Sequence, residues 1–141
     1  MSDGVLKAAG RTLDLASRPL LMGIVNASPD SFSDGGLHKG VESQLRLAAE
    51  LVGQGAGIVD VGGESATTGR PPVEPEHEIE LVAPLVGAIA RELDVMISVD
   101  TYKPPVARAA IEAGAHVIND VSGLRDVQLA EICAQTGADW C

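Results

Sequence analysis

The sequence predicts an α/β fold, a parallel sheet whose strands are joined by helical crossovers. Three observations predict it. Short Val- and Ile-rich apolar runs alternate with segments of helical periodicity. The order strand then helix repeats four times. A Gly-Ala pair precedes a strand at 55–56, 114–115 and 137–138, where glycine can end the preceding helix in a left-handed conformation.

Residues 1–18 contain no continuous apolar run and read as an N-terminal extension, not a signal peptide. Residues 19–141 then form one domain of four strand–helix units. The first strand is LLMGIV at 20–25, apolar enough to be buried on both faces. Leu45, Ala48, Ala49 and Val52 follow it at the i, i+3, i+4, i+7 spacing of an amphipathic helix. The second strand is IVDV at 58–61, and its helix carries Ile79, Val82, Ala83 and Val86 and continues through Ile89, Ala90 and Leu93. Pro84 lies inside that helix and is expected to kink or interrupt it. Glu74, Glu76, Glu78 and Glu80 sit near its start, where acidic side chains favour the positive end of the helix dipole. The third unit is VMISV at 95–99 with Val106, Ala107, Ala110 and Ile111; the fourth is VI at 117–118 with Leu129, Ala130 and Cys133. Asp139, Trp140 and Cys141 read as the start of a fifth strand, with Trp140 beginning core packing, so a truncated chain is expected.

A chain of 141 residues has room for one domain, and 45% hydrophobic residues is ordinary for a globular one. Acidic residues outnumber basic ones 20 to 10, a formal charge of −10. That balance argues against a nucleic-acid partner and an anionic membrane surface. An anionic ligand would need a metal or a few placed cations to overcome the field. Cys133 and Cys141 make neither a zinc spacing nor a disulfide framework and read as free thiols in a reducing compartment. No apolar run reaches a membrane span, so a cytoplasmic protein is expected. His38, His77 and His116 match no ligand spacing and read as structural or solvated.

The chemical signal lies at the strand ends. Asn26, Asp60, Asp100, Asn119 and Asp120 each stand where an apolar run gives out. A parallel sheet brings all its carboxyl ends to one rim, where ligands bind. Any one of these residues alone is equally well a turn or cap residue. The loop at 26–36, NASPDSFSDGG, holds Asp30, Asp34 and the chain's single phenylalanine, Phe32. Either Phe32 tucks into the core, or the loop is a lid with Gly35 and Gly36 as hinge. The loop at 62–72, GGESATTGRPP, has glycines that let backbone amides approach a ligand. No Ser-His-Asp arrangement is evident, so no nucleophilic side chain is expected.

These segments together resemble a known family. GIVNASPDSFSDGG at 23–36 is similar to the first signature of the dihydropteroate synthases, and IVDVGGES at 58–65 to the second. SVDTYK at 98–103 and INDVSGL at 118–124 resemble the segments closing their third and fourth strands, in the same order. The resemblance implies a (β/α)8 barrel of which this chain carries about four units, because a complete barrel takes ~250 residues. The implied reaction condenses 6-hydroxymethyl-7,8-dihydropterin pyrophosphate with p-aminobenzoate, giving 7,8-dihydropteroate and pyrophosphate in folate synthesis.

The resemblance also implies roles. Asn26 would coordinate Mg²⁺, with the substrate pyrophosphate completing the shell. Asp100 and Asn119 would hydrogen-bond the pterin; Phe32 would pack on p-aminobenzoate; Ser65 and Thr67 would contact substrate. Asp30 and Asp34 would order the first loop and its metal shell. The second loop departs from the family's pattern: Ala66, Thr67 and Thr68 stand where Thr, Arg and Pro are usual, and Arg70 lies three residues beyond the missing arginine's position. A half-length chain is expected to turn over weakly or not at all alone. It would pair with a second copy or a complementary half-barrel. The alternatives are an inactive half-barrel acting as an assembly module, and a pterin-binding methyltransferase domain.

Overall fold

The computed structural model describes residues 4–27, 36–64 and 71–141. Val25, Val59, Val61, Ile97, Val99 and Ile118 are fully buried in it, on the side of a parallel sheet that faces the helices. That sheet has five strands in sequence order: β3 (Leu21–Asn26), β4 (Ala56–Gly62), β5 (Met96–Asp100), β6 (Val117–Asn119) and β7 (Asp139–Trp140). Every neighbouring pair is parallel. The crossovers are α1 (Gly36–Gly53), α2 (Pro75–Glu92), α3 (Pro104–Ala113) and α4 (Gln128–Thr136). The four predicted units and the fifth strand are therefore present, the strands within one or two residues of their expected bounds and the helices extending beyond the positions that predicted them.

Local chemistry sets the helix ends. Prolines occupy the first turns of α2 and α3, where their fixed φ suits the helix and no intrahelical N–H is needed. Gly114 (φ 121°) and Gly137 (φ 77°) follow α3 and α4 as the Gly-Ala repeat predicts. Pro84 does not interrupt α2, which runs unbroken through it. The proline is exposed, so the carbonyl it leaves unpaired can turn to water.

The N-terminal extension is not featureless. It forms a hairpin of β1 (Val5–Ala8) and β2 (Arg11–Asp14), missed in the sequence because each strand is only four residues long. Ala9 (φ 45°) and Gly10 (φ 80°) make a two-residue turn with both central φ positive, the geometry that matches strand twist. The hairpin lies across the amino-terminal end of the sheet. Ala8, with Leu6, Leu13 and Leu20 beside it, covers Ile58, Met96 and Val117. The inner face of the sheet is thus not bare, as a half-barrel would suggest; its floor is sealed. Within the sheet, exposed large apolar side chains are concentrated on β3, where Leu21 is 61% and Ile24 64% exposed. Its inner-face residues have no neighbouring strand on that side.

Two further contacts hold the floor. The Ala9 N–H donates to the Gly137 carbonyl at 2.8 Å, and Arg11 pairs with Asp94 at 2.5 Å. His116, expected to be structural, accepts a hydrogen bond at Nδ1 from the Ile97 N–H at 3.0 Å. That bond requires an unprotonated Nδ1, and burial and the nearby Arg11 charge hold its pKa below the ordinary value. Among the described residues no helix is long and apolar enough to cross a membrane.

Candidate functional site

Side chains alternate along a strand, so register decides which ones meet. Asn26 pairs with Gly62, Gly62 with Asp100, and Asp100 with Asn119. These four are the last residues of β3, β4, β5 and β6 and share the inner face of one rim. One layer below come Ile24, Asp60, Ser98 and Val117, again register partners. The predicted convergence of Asn26, Asp100 and Asn119 is therefore what the fold delivers. The ladder continues past β3, where the Ala27 N–H donates to the Gly62 carbonyl at 2.7 Å and fixes the backbone beside Asn26. Phe32, Asp30, Asp34, Ser65 and Thr67 lie outside the described residues.

Gly62 leaves a space at the rim. A Cβ built there would stand 3.7 Å from Asn26 Oδ1 and 4.0 Å from Asp100 Oδ2. The amide oxygen and the carboxylate thus flank one small opening. Beside it, Asn119 Nδ2 donates to Asp60 Oδ2 at 3.4 Å. Asp60 is 4% exposed, and its Oδ1 has no partner; neither has the Ser98 hydroxyl next to it. A buried acceptor without a donor is costly, so this layer presents hydrogen-bonding capacity to whatever enters.

The electrostatics follow from that crowding. The Asp100 carboxyl is raised from 3.8 to about 6, chiefly by burial and then by the charges of Asp60, Glu78, Glu64 and Asp120. Asp120 itself faces other work. It accepts from the Ser122 N–H at 2.9 Å and the Leu124 N–H at 2.8 Å, shaping the turn after β6. Burial pushes it up, but these bonds outweigh burial and hold it below the usual range.

A cluster next to the rim was missed in the sequence. Lys103 Nζ donates at 2.6 Å to Glu64 Oε2, to Glu78 Oε2 and to the Val73 carbonyl. Glu78 is not a solvated helix-end acid: it is 1% exposed. A signal existed, since Glu78 stands in the stripe of Leu81, Val82, Leu85, Val86 and Ile89 that α2 buries. Burial raises the Glu78 carboxyl despite its lysine partner. Burial pulls the Lys103 ammonium down, yet its bonds to Glu64 and Glu78 prevail and leave it raised.

Oxygen donors at an open rim suit a hard cation better than a soft one. Among the described residues no three His, Cys, Asp or Glu side chains come together to cage a metal. The Asn26 amide oxygen is one such oxygen donor at this rim.

A parallel βα arc with a polar rim of amides and carboxylates defines the class, and comparison with known proteins identifies it. The chain belongs to the pterin-binding enzymes, whose family model, described as "Pterin binding enzyme", matches residues 22–141. Within that family its similarity is to the dihydropteroate synthases. It is 46% identical over 136 residues to the Escherichia coli (strain K12) enzyme, covering 96% of this chain and 48% of that one. The structure of the Xanthomonas albilineans dihydropteroate synthase with 4-aminobenzoic acid matches 99% of this chain with a TM-score of 0.88 at 42% identity, over 50% of its own length. The Burkholderia cenocepacia synthase complexed with 7,8-dihydropteroate matches with a TM-score of 0.82 at 38% identity, over 98% of this chain and 45% of that one. The chain spans about half the length of the relatives it matches, and the expectation of a partial barrel stands.

Proposed function

We propose that this chain carries half of a dihydropteroate synthase site and binds the pterin pyrophosphate substrate through its rim. The supporting observation is the convergence of Asn26, Asp100 and Asn119 around the opening over Gly62, above the unpartnered Asp60 Oδ1. A pterin edge offers ring N–H and amino donors beside ring-nitrogen and carbonyl acceptors. Carboxylates at 60 and 100 can accept from the donors, and the Asn119 amide can serve either. The relatives described above are all dihydropteroate synthases, so the methyltransferase alternative gains no support.

The residues then act by holding, not by attacking. Asp60, Asp100 and Asn119 fix the ring plane, so the exocyclic methylene carbon faces the open side of the rim, where the amine of p-aminobenzoate would approach. Asn26 would hold Mg²⁺, which when bound spreads the charge of the departing pyrophosphate. Carboxylates near the ring favour the positive charge that develops on the pterin as that group leaves. No covalent enzyme intermediate is needed. Phe32, Ser65, Thr67, Asp30 and Asp34 keep the roles the resemblance implies. Exposed Leu21 and Ile24 on β3 support completion by a complementary half-barrel or a second copy, and the free cysteines support a reducing, cytoplasmic setting.

The test is NMR titration of the 141-residue chain with 6-hydroxymethyl-7,8-dihydropterin pyrophosphate and Mg²⁺, using methyltetrahydrofolate as control. Shifts at Asn26, Asp100 and Asn119 with the pyrophosphate alone support the reading. Binding mapped elsewhere, or no binding at all, would overturn it.

A further inference from the structure

We infer that Lys103 is a positioning residue whose ammonium fixes both stems of the β4–α2 connection beside Asp100. This inference rests on the function proposed above only for its consequence, not for its geometry.

Four parts of the chain meet at that one nitrogen. Glu64 leaves the end of β4, Val73 leads into α2, Glu78 lies in the first turn of α2, and Lys103 is the residue from which α3 starts. An ammonium has three N–H donors, and all three are used at 2.6 Å. The stems are also tied to each other, because the Val73 N–H donates to Glu64 Oε2 at 3.3 Å. Tyr102 adds a bond from its hydroxyl to Glu64 Oε1 at 3.3 Å, and its ring lies 5.1 Å from the ammonium. Gly63 permits the approach: a Cβ there would stand 2.7 Å from both Glu78 Cγ and Val82 Cγ2.

The link to the rim is short. Thr101, 2% exposed, follows Asp100 and accepts the Lys103 N–H at its hydroxyl at 3.2 Å. The Thr101 N–H donates to the Asn119 carbonyl at 3.1 Å. Lys103 is thus rigidly referenced to Asp100 and Asn119, and it passes that reference to Glu64 and Val73. The connection between β4 and α2 therefore begins and ends at points set by the strands that carry the rim. Stability alone does not account for such a cluster, since a buried ion pair is often no more stabilising than apolar packing of the same volume. Geometric specification does account for it.

Amide hydrogen exchange on the 141-residue chain decides the matter. In Lys103→Met the Val73 and Glu64 amides should exchange at least tenfold faster, while Val61 and Ile97 in the sheet keep their protection. Lys103→Arg should restore most of the slow exchange. If Lys103→Met does not fold, Glu64→Gln, which leaves the Lys103–Glu78 pair intact, should show the same selective loss at Val73. Unchanged exchange at Val73, or acceleration of all four amides by one common factor, would overturn the inference. In the same samples, pterin pyrophosphate should bind at least threefold more weakly to Lys103→Met than to Lys103→Arg. Failure of the unaltered chain to bind it would count against the proposed function alone.

Discussion

Asp100 should cost the fold stability at neutral pH, and replacing it by asparagine should show this. Its carboxyl is raised from 3.8 to about 6 by burial first and then by the surrounding acids. Folding therefore favours the protonated form. The stability tied to this proton is complete below 3.8 and is lost as pH rises through about 6. At 1.36 kcal/mol per pKa unit the shift would be worth up to about 3 kcal/mol in a sealed site. The rim is open to water, and screening reduces this to ~1–2 kcal/mol. Asp100→Asn keeps the shape and removes the charge. The expected result is a variant more stable by ~1–2 kcal/mol at pH 7.5, the gap closing toward pH 4. Urea unfolding followed by Trp140 fluorescence measures it, since that tryptophan is the chain's only one and packs on the core. The same variant should bind pterin pyrophosphate more weakly, having lost an acceptor. Equal stabilities at pH 7.5, or a gap that does not change with pH, would refute the reasoning.

Other consequences follow from the same geometry. Asp60→Asn removes the strongest charge acting on Asp100, so the Asp100 carboxyl should titrate below about 6 in that variant, as read by carbon-13 NMR; an unmoved midpoint would contradict the assignment. His116 has a depressed pKa in the fold, so its contribution is present above 6.5 and is lost as pH falls below it. His116→Ala should flatten that acid-side slope and, by orphaning the Ile97 N–H, lower stability by ~1 kcal/mol at pH 7.5. Met96 is fully buried under the hairpin, and Met96→Ala should cost ~2–5 kcal/mol in thermal or urea unfolding. A cost near zero would mean that the hairpin does not seal the floor.

The fold was legible because its signals are local and repeated. Val59, Val61, Ile97 and Val99 announce strands buried under helices, and glycines at 114 and 137 announce helix ends. Of the site, Asn26, Asp100 and Asn119 were legible because strand ends need only topology to be brought together. The Lys103 cluster was not. Its partners stand 25 and 39 residues away, and nothing in a sequence distinguishes a lysine beside a strand end that turns inward from one that stays in water. Glu78 shows the same limit, although its place in an apolar stripe was a usable clue. The hairpin escaped because Leu6 and Leu13 find their apolar surface on Ile58 and Met96, far along the chain.

The placement of charge bears on how the two parts of the proposed substrate could be handled. Burial first, and then the charges of Asp60, Glu78, Glu64 and Asp120, raise the Asp100 carboxyl on the inner face. Among the described residues, the one lysine in contact with this group has all three donors committed to Glu64, Glu78 and Val73. Such a surface welcomes a heterocycle that brings N–H donors and later gains positive charge, and it repels a pyrophosphate. The two halves of one substrate therefore make opposite demands on the same rim. Separation would resolve them: on the proposed function the ring would sit against Asp60, Asp100 and Asn119, and the anion would lie toward the β3 edge, where Asn26 presents an uncharged amide. At that edge a neutral amide can ligate a cation through its oxygen without adding to the repulsion. On that reading, the amide that ends β3 suits the anionic part of the proposed substrate, and the carboxylates of β4 and β5 suit its ring.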